Sequence, residues 1–490
     1  MRVLIIFTFV FVQMTQPLTA QDWNQLGNDI NGETETEASG RRVSMSADGN
    51  TIAIGAQFND NNGTDSGTVR VYSWNDSSWM QMGNDIDGED EFDQSGESIS
   101  LSDDGTILAI GAPFNVVNGN FSGHTRVFAW NGTSWEQMGL DLDAENAEDK
   151  SGFSVSINSS GNIVAIGAPY NDNIENDAGQ VRVYEWNGAA WNQKGIDLDG
   201  LVESERFGSE VKLSEDGNTL AVGMPQNSNV DFLSGSTRIY DWNGTTWTQK
   251  GNDINGENFG SQSGYSISLS NDGNTIAIGD AGTDTATRIV RMFTWNGTSW
   301  GQKGETIAGG GDSPSNKPVS LSADGNIVAI GTGGSGAFAG YIRVYEWNNS
   351  SWEQIGADIE CDNSTEDCRR MVALNATGDI LAIGDPSNIG NGNNGGQVRV
   401  FTTQSLGIDE NNFNAIKPYP NPTSGIVHLN FNNLEEVSIK ISDLLGKLIY
   451  TRDKINPSSF SIDLTSQQSG VYFIKIFSKN ESQVYKIIKQ

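Results

Sequence analysis

One phrase, Trp-x-Gln-x-Gly, recurs seven times in the 490-residue chain, opening at Trp23, Trp79, Trp135, Trp191, Trp247, Trp300 and Trp352. The spacings are 56, 56, 56, 56, 53 and 52 residues. A second marker keeps step with it: Arg70, Arg126, Arg182, Arg238, Arg291, Arg343 and Arg399 each sit in a Val-Arg-Val-Tyr-like segment. All 13 tryptophans fall within this pattern. A period of this length means that one supersecondary unit is copied, and that each copy completes its core against its neighbours.

The second copy shows what the unit is. Ser98 to Ser102 alternates polar and apolar residues, as a half-buried strand does. Asp104-Gly105 is a tight turn, and Ile107 to Gly111 is a second strand. A polar loop from Ala112 to Gly123 leads to a third strand, Thr125 to Trp130. After the Asn131–Ser134 hairpin, Trp135 to Gly139 starts a fourth. Four antiparallel strands per unit, seven times over, predict an all-β, seven-bladed propeller over residues 21–402. The first copy begins with its fourth strand, Trp23 to Ile30, and the last stops after its third, Val398 to Phe401. The N-terminal strand is therefore expected to close the last blade. An arginine in the same register of every blade reads as a structural fork, stacked on its own aromatics and paired with a fourth-strand acid such as Asp85 or Asp141. The glutamine of the Trp-x-Gln phrase reads as a buried amide between blades.

The stretch Ser-Gly-x-Ser-Val-Ser-Leu-Ser-x-Asp-Gly-Asn-x-Ile-Ala-Ile-Gly-Ala-Pro, with Phe207-Gly208 in one copy and Gly111-Ala-Pro113 and Gly167-Ala-Pro169 in two others, resembles the FG-GAP repeat of integrin-α-type propellers. That family binds calcium in an acidic loop between its two glycine motifs. Here the connection is a short turn such as Ala47-Asp48-Gly49-Asn50, too small to wrap about six to eight oxygens around Ca²⁺. The candidates for a cation move to the loops after the second strand: Asn59, Asp60, Asn61 and Asp65 in one copy, Asn171, Asp172, Asn173 and Asp177 in another. Ca²⁺ is the one cofactor these residues suggest; solvated turns with Asx bonding are the alternative.

Both ends of the chain carry addresses. Residues 1–20 read as a signal peptide, with Arg2, an apolar run from Val3 to Val12, and cleavage between Ala20 and Gln21. The run is too short for a span of about 20 residues, and no later segment is apolar enough to cross a bilayer. Residues 403–416 form a polar linker. Beyond it stand Tyr419-Pro420-Asn421-Pro422-Thr423-Ser424-Gly425, the segment Ser442 to Tyr450, the segment Ser469 to Ile476 and a terminal Lys-Ile-Ile-Lys-Gln. Residues 417–490 resemble the type A sorting domain of the type IX secretion system of Bacteroidota. The resemblance implies a small β-sandwich recognised by that machinery, export through the periplasm, and removal of the domain. The cargo is then secreted or attached to lipopolysaccharide on the outer-membrane surface.

Charge separates the two parts. Residues 417–490 hold nine Lys/Arg and six Asp/Glu, whereas residues 21–402 hold 19 and 54. So acidic a cargo, with no basic stripe, excludes nucleic acid as a partner. Two histidines leave little room for His-rich zinc sites, and His124 reads as a loop histidine. Gly297 to Gly301 fits the nucleophile-elbow pattern but lies in a hairpin with no helix after it. Gly390 to Gly395 fits a dinucleotide fingerprint but joins two strands. Cys361 and Cys368, the only cysteines, are expected to form a disulfide in an oxidising exported setting. No catalytic constellation stands out. The expectation is a secreted or surface-attached, non-enzymatic module that binds a glycan or protein. A polysaccharide-active enzyme and a structural surface-layer component are its rivals.

Overall fold

The computed structural model describes residues 22–282, 289–308, 318–332, 340–361, 371–389, 392, 394–403, 418–430, 437–444, 447–455, 459–478 and 481–490. These residues form strands and no helix. They divide into two units, broken after Gln404.

In the first unit, seven antiparallel sheets repeat one plan. The second sheet is typical: Ser98–Leu101, Ile107–Ala112, His124–Trp130 and Trp135–Gln137 lie side by side in chain order. A two-residue strand, Leu142–Asp143, then returns to the third strand beyond a break. The innermost strands touch in succession, and Arg42–Met45 of the first sheet touches Met371–Leu374 of the last, so the ring is closed. The closing sheet consists of Met371–Leu374, Ile380–Asp385 and Gln397–Thr402, completed by the N-terminal Asn24–Gln25 and Ile30–Asn31. Asn24 stands opposite Thr402, Gln25 opposite Phe401 and Ile30 opposite Val398. Leu26 N–H donates to the Val400 carbonyl at 2.7 Å.

Contacts between copies explain the repeated residues. Trp74 and Trp79 face each other across their hairpin with centroids 5.3 Å apart, and five further pairs repeat this geometry. The indole N–H of Trp79 reaches the Leu26 carbonyl of the preceding sheet at 3.0 Å, and that of Trp135 reaches Met82 at 3.0 Å. The glycine closing each Trp-x-Gln-x-Gly phrase lets the next pair approach: Gly83 has φ +76°, and a Cβ there would lie 2.9 Å from Trp130. The two glycine motifs meet each other across the interface. A Cβ on Gly111 would strike the Gly152 carbonyl of the following sheet, and Gly384 meets Gly40 in the same way where the ring closes. First-strand serines tie neighbours together at the inner edge, as where Ser44 Oγ accepts from Leu101 N–H at 3.0 Å. This satisfies N–H groups that an inner edge strand would otherwise leave bare.

The second unit is a small β-sandwich. Ile426–Asn430 pairs with Ser459–Asp463, and Leu448–Ile455, Val437–Asp443, Gly470–Ser478 and Glu481–Lys489 form a four-stranded sheet in that order. Val427, Leu429, Ile439, Ile441, Ile474, Ile476 and Ile487 fill the space between.

Candidate functional site

The inner strands of all seven sheets line a channel that opens into a cavity of about 670 Å³. Among the described residues its mouth is built by two kinds of turn. One enters the inner strand through an x-Ser-Gly-x sequence; the other follows the second strand. In the first, the residue before Ser-Gly, or before Phe207-Gly208 in one copy, adopts a left-handed backbone: Ala38, Gln94, Lys150, Arg206 and Gln262 have φ between 50° and 58°. Each such turn is held to the neighbouring blade, as where Lys150 N–H donates to the Phe121 carbonyl at 3.1 Å and Arg206 N–H to the Asp177 carbonyl at 3.2 Å. Of these residues, Gln94 and Arg206 line the cavity.

The mouth is aromatic and basic in an otherwise acidic ring. Phe58, Phe114, Phe153 and Tyr170 line it half-buried, with Tyr265 more exposed. Lys150 Nζ lies 3.9 Å from the Tyr170 ring centroid and 5.1 Å from that of Phe114. Arg206 Cζ lies 3.8 Å from the same Tyr170 centroid, and Arg41 lies over Phe58 at 5.8 Å. Arg206 also pairs with Asp177 at 3.2 Å, and Arg41 and Arg42 pair with Glu97 at 3.6 and 3.2 Å. Among the described residues no carboxylate pairs with Lys150. Aromatic faces flanked by cations suit a ring-shaped ligand that carries negative charge.

The acidic loops expected to hold a cation have other partners. Asn59 is buried and donates to Glu37 at 2.8 Å, while its own oxygen accepts from Asn61 N–H at 2.8 Å. Asp60 accepts from Asp65 N–H at 2.8 Å. In the third copy, Asn171 donates to Asp149 at 3.1 Å and accepts from Asn173 N–H at 3.0 Å, and Asp172 accepts from Asp177 N–H at 2.6 Å. Asp65 and Asp177 are the left-handed residues whose carbonyls hold the next blade's turn. Phe121 and Leu233 stand in the same register with φ 50° and 51°, so the turn itself does not require a carboxylate. Burial, with Asp60 nearby, pushes the Asp65 carboxyl upward.

The arginines fork in two ways. Arg70, Arg238 and Arg343 pair with their own fourth-strand acids, Asp85, Asp253 and Asp358, at 2.7–2.9 Å. Arg70 also grips the buried Glu37 at 2.9 Å; burial opposes that carboxylate's charge, but bonds from Arg70 and Asn59 hold it below its usual range. Arg126, Arg182 and Arg399 reach back instead to backbone carbonyls of the preceding blade, Asp87, Asp143 and Glu360, at 2.6–3.0 Å. Arg291 bonds Ser263 at 2.9 Å. Asp141, expected beside Arg126, lies instead near His124, 3.9 Å from its Nδ1.

Two readings of side chains need correction. The Trp-x-Gln glutamines are exposed rather than buried, because they lie on the outermost strand; Gln81 donates to Asp85, four residues on, at 2.7 Å, and Gln137 to Asp141 at 2.6 Å. His124 is not a loop residue. It opens the third strand, is fully buried, and has a ring pKa lowered to about 4, first by burial and then by Arg126. Cys361 is buried and disulfide-bonded; its expected partner Cys368 lies outside the described residues, as do Ala20 and Gln21 of the signal cleavage site. In the sandwich, Tyr419 bridges His428, and Asn421 bonds the Lys486 carbonyl at 2.7 Å and the Ile488 N–H at 2.9 Å. Pro420 and Pro422 flank Asn421, and Gly425 N–H donates to Thr423 Oγ1 at 3.0 Å. The sorting motif is thus an ordered cap on the sandwich edge.

Residues 417–490 match the family "Secretion system C-terminal sorting domain". The chain is a type IX cargo, sent to the cell surface or released from it. None of the described residues forms a helix long and apolar enough to cross a membrane. An ulvan lyase of Nonlabens ulvanivorans is 32% identical over 83 residues, covering 17% of this chain and 15% of that protein. An endo-acting ulvan lyase of Formosa agariphila is 29% identical over 91 residues, 18% of this chain and 17% of that protein. The chain thus spans about a sixth of the length of these curated relatives. Similar solved structures include the hydrazine synthase of Kuenenia stuttgartiensis, with TM-score 0.49, 12% identity, and 78% of this chain and 98% of that one covered. The Dos1 propeller has TM-score 0.44 and 10% identity over 78% of this chain and 96% of its own.

Proposed function

We propose that the exported ring is a non-enzymatic, FG-GAP-like binding module whose channel mouth captures an acidic glycan. The observation that carries this reading is the cluster of Lys150, Tyr170 and Arg206. It sets two cations within 3.9 Å of one aromatic ring in a domain with 54 acidic and 19 basic residues. A sugar ring stacks on an aromatic face through its C–H groups, and a uronate or sulfate on that sugar meets the cations. Among the described residues Lys150 has no acidic partner to give up when a ligand arrives, which lowers the desolvation cost of binding.

A glycan array probed with the mature chain tests the reading. Acidic glycans should be retained in preference to neutral ones. Lys150→Ala and Tyr170→Ala should each weaken capture by at least ~10-fold, about 1.4 kcal/mol. Retention of neutral glycans alone, or undiminished capture by both variants, would overturn the assignment. Shortened sugars appearing in the incubation would turn the reading to the enzymatic rival.

A further inference from the structure

We propose that Glu89, His124 and Asp141, with Asp143 beside them, form a site for one divalent transition-metal ion of the zinc type. It lies where the first blade passes into the second, Glu89 coming from the connection between them, and is independent of the channel mouth. His124 is fully buried, and neither of its ring nitrogens has a hydrogen-bond partner. Its Nδ1 lies 3.9 Å from Asp141 Oδ2 and 4.0 Å from Asp143 Oδ1. One oxygen of Glu89, a ring nitrogen of His124 and one oxygen of Asp141 lie within 4.8 Å of one another. Asp143 Oδ1 is itself buried without a partner.

Comparison with the other copies shows what this corner normally does. Thr68, Gln180, Ser236 and Gln397 open the third strand where His124 stands. Gln180 donates from Nε2 to Asp199, the counterpart of Asp143, at 3.2 Å. In the third copy an amide-to-carboxylate bond fills this corner, and in the second an imidazole stands in place of the amide without making that bond. An imidazole nitrogen and carboxylate oxygens arranged around one point are a donor set for zinc or its neighbours, whereas calcium takes oxygen alone. With bonds of about 2.1 Å, tetrahedral ligand atoms stand about 3.4 Å apart, so the two carboxylates beside His124 need to close on it by roughly half an ångström, and Glu89 by up to about 1.4 Å. Charge agrees: Arg126, 3.6 Å from Glu89, offsets one of the three carboxylates and leaves two for a divalent ion.

The test uses the mature chain, stripped with a chelator and titrated with zinc chloride in excess calcium, which occupies unspecific carboxylates. The expected result is one saturable zinc per chain. His124→Gln places the residue of the third and seventh blades at this corner, so it should fold and melt like the metal-free parent. It should bind zinc at least ~100-fold more weakly, and Asp141→Asn at least ~10-fold more weakly. Cobalt(II) should give the parent, and not His124→Gln, the intense visible d–d absorption of four-coordinate cobalt. No saturable binding by the parent, or equal binding by a folded His124→Gln, would overturn the site.

Discussion

Removing residues 22–31 should open the ring. In the closed structure this segment pairs with Gln397–Thr402, with Leu26 N–H on the Val400 carbonyl at 2.7 Å, and Gly32, the next residue, donates its N–H to the Gly396 carbonyl at 2.9 Å. With the ladder bonds, about four to six backbone hydrogen bonds are lost, at ~0.5–1.5 kcal/mol each. Leu26 and Ile30, each 7% exposed, are buried against Val43, Ile52, Val398 and Val400, and contribute ~1.5–3 kcal/mol apiece. Trp23 packs half-buried on the cluster around Leu381 and Phe401. The indole of Trp79 also loses its acceptor, the Leu26 carbonyl. The total, ~5–15 kcal/mol, equals the stability of a whole domain. The truncated chain should therefore aggregate or melt more than ~10 °C below the parent, since 1 kcal/mol shifts the melting point of a large domain by roughly 2–4 °C. Leu26→Ala with Ile30→Ala provides the graded version. Removing 417–490 should leave the propeller's transition unchanged. Calorimetry and size exclusion read both outcomes, and an N-terminal truncation that melts with the parent refutes the closure energetics.

Four smaller perturbations probe other parts of the ring. In the Ser-x-Asp-Gly turns, burial raises the carboxyls of Asp48, Asp104, Asp216, Asp272 and Asp324, but bonds from serine and the following residues outweigh it and hold them below the usual range. A depressed folded pKa gives stability above the unfolded value and loses it as pH falls below about 4. Ser102→Ala should therefore cost ~1 kcal/mol in denaturant at pH 7, and clearly less at pH 3; an equal cost at both would contradict the linkage. Asp280 is the opposite case: burial pushes its carboxyl up to about 7, and Arg291 at 3.9 Å only partly offsets this. The stability tied to its protonated form is whole below about 4 and declines as pH rises towards 7, so Asp280→Asn should stabilise the ring at pH 8 by up to ~4 kcal/mol. That gain should vanish near pH 4, and destabilisation at pH 8 would be the contrary result. Gly83→Ala should cost ~1–3 kcal/mol through its left-handed backbone and the Trp130 contact. Gly132→Asn should be nearly neutral in the same melting assay, because its site is open and Asn349 already holds that register at φ 74°.

The ring was legible because its blades meet through repeated residues. Trp79 bonds across to Leu26, and Gly111 packs on Gly152, so the period in the sequence is the period of the interface. Strand counting likewise identified the N-terminal partner of Gln397–Thr402, since a four-strand unit split between the two ends has one way to be made whole. Repetition does not distinguish burial from exposure. Gln81 and its six counterparts make short local bonds at the outer edge, and an exposed amide repeated seven times looks the same in sequence as a buried one. His124 was misplaced by a single residue: a strand beginning at 124 rather than 125 turns a loop side chain into a sealed one.

The mouth was missed for a more general reason. Within the strict repeat, the residue before the Ser-Gly or Phe-Gly pair takes four identities over five copies, as Ala38, Gln94, Lys150, Arg206 and Gln262, while its left-handed backbone stays constant. The backbone contacts that build the ring fix the turn but not this side chain, which at Gln94 and Arg206 lines the channel opening. Positions that keep their conformation and vary their chemistry are where a ring of near-identical blades can acquire an asymmetric ligand. The Lys150–Tyr170–Arg206 cluster occupies such positions, and the informative residues in this sequence are those that break its pattern.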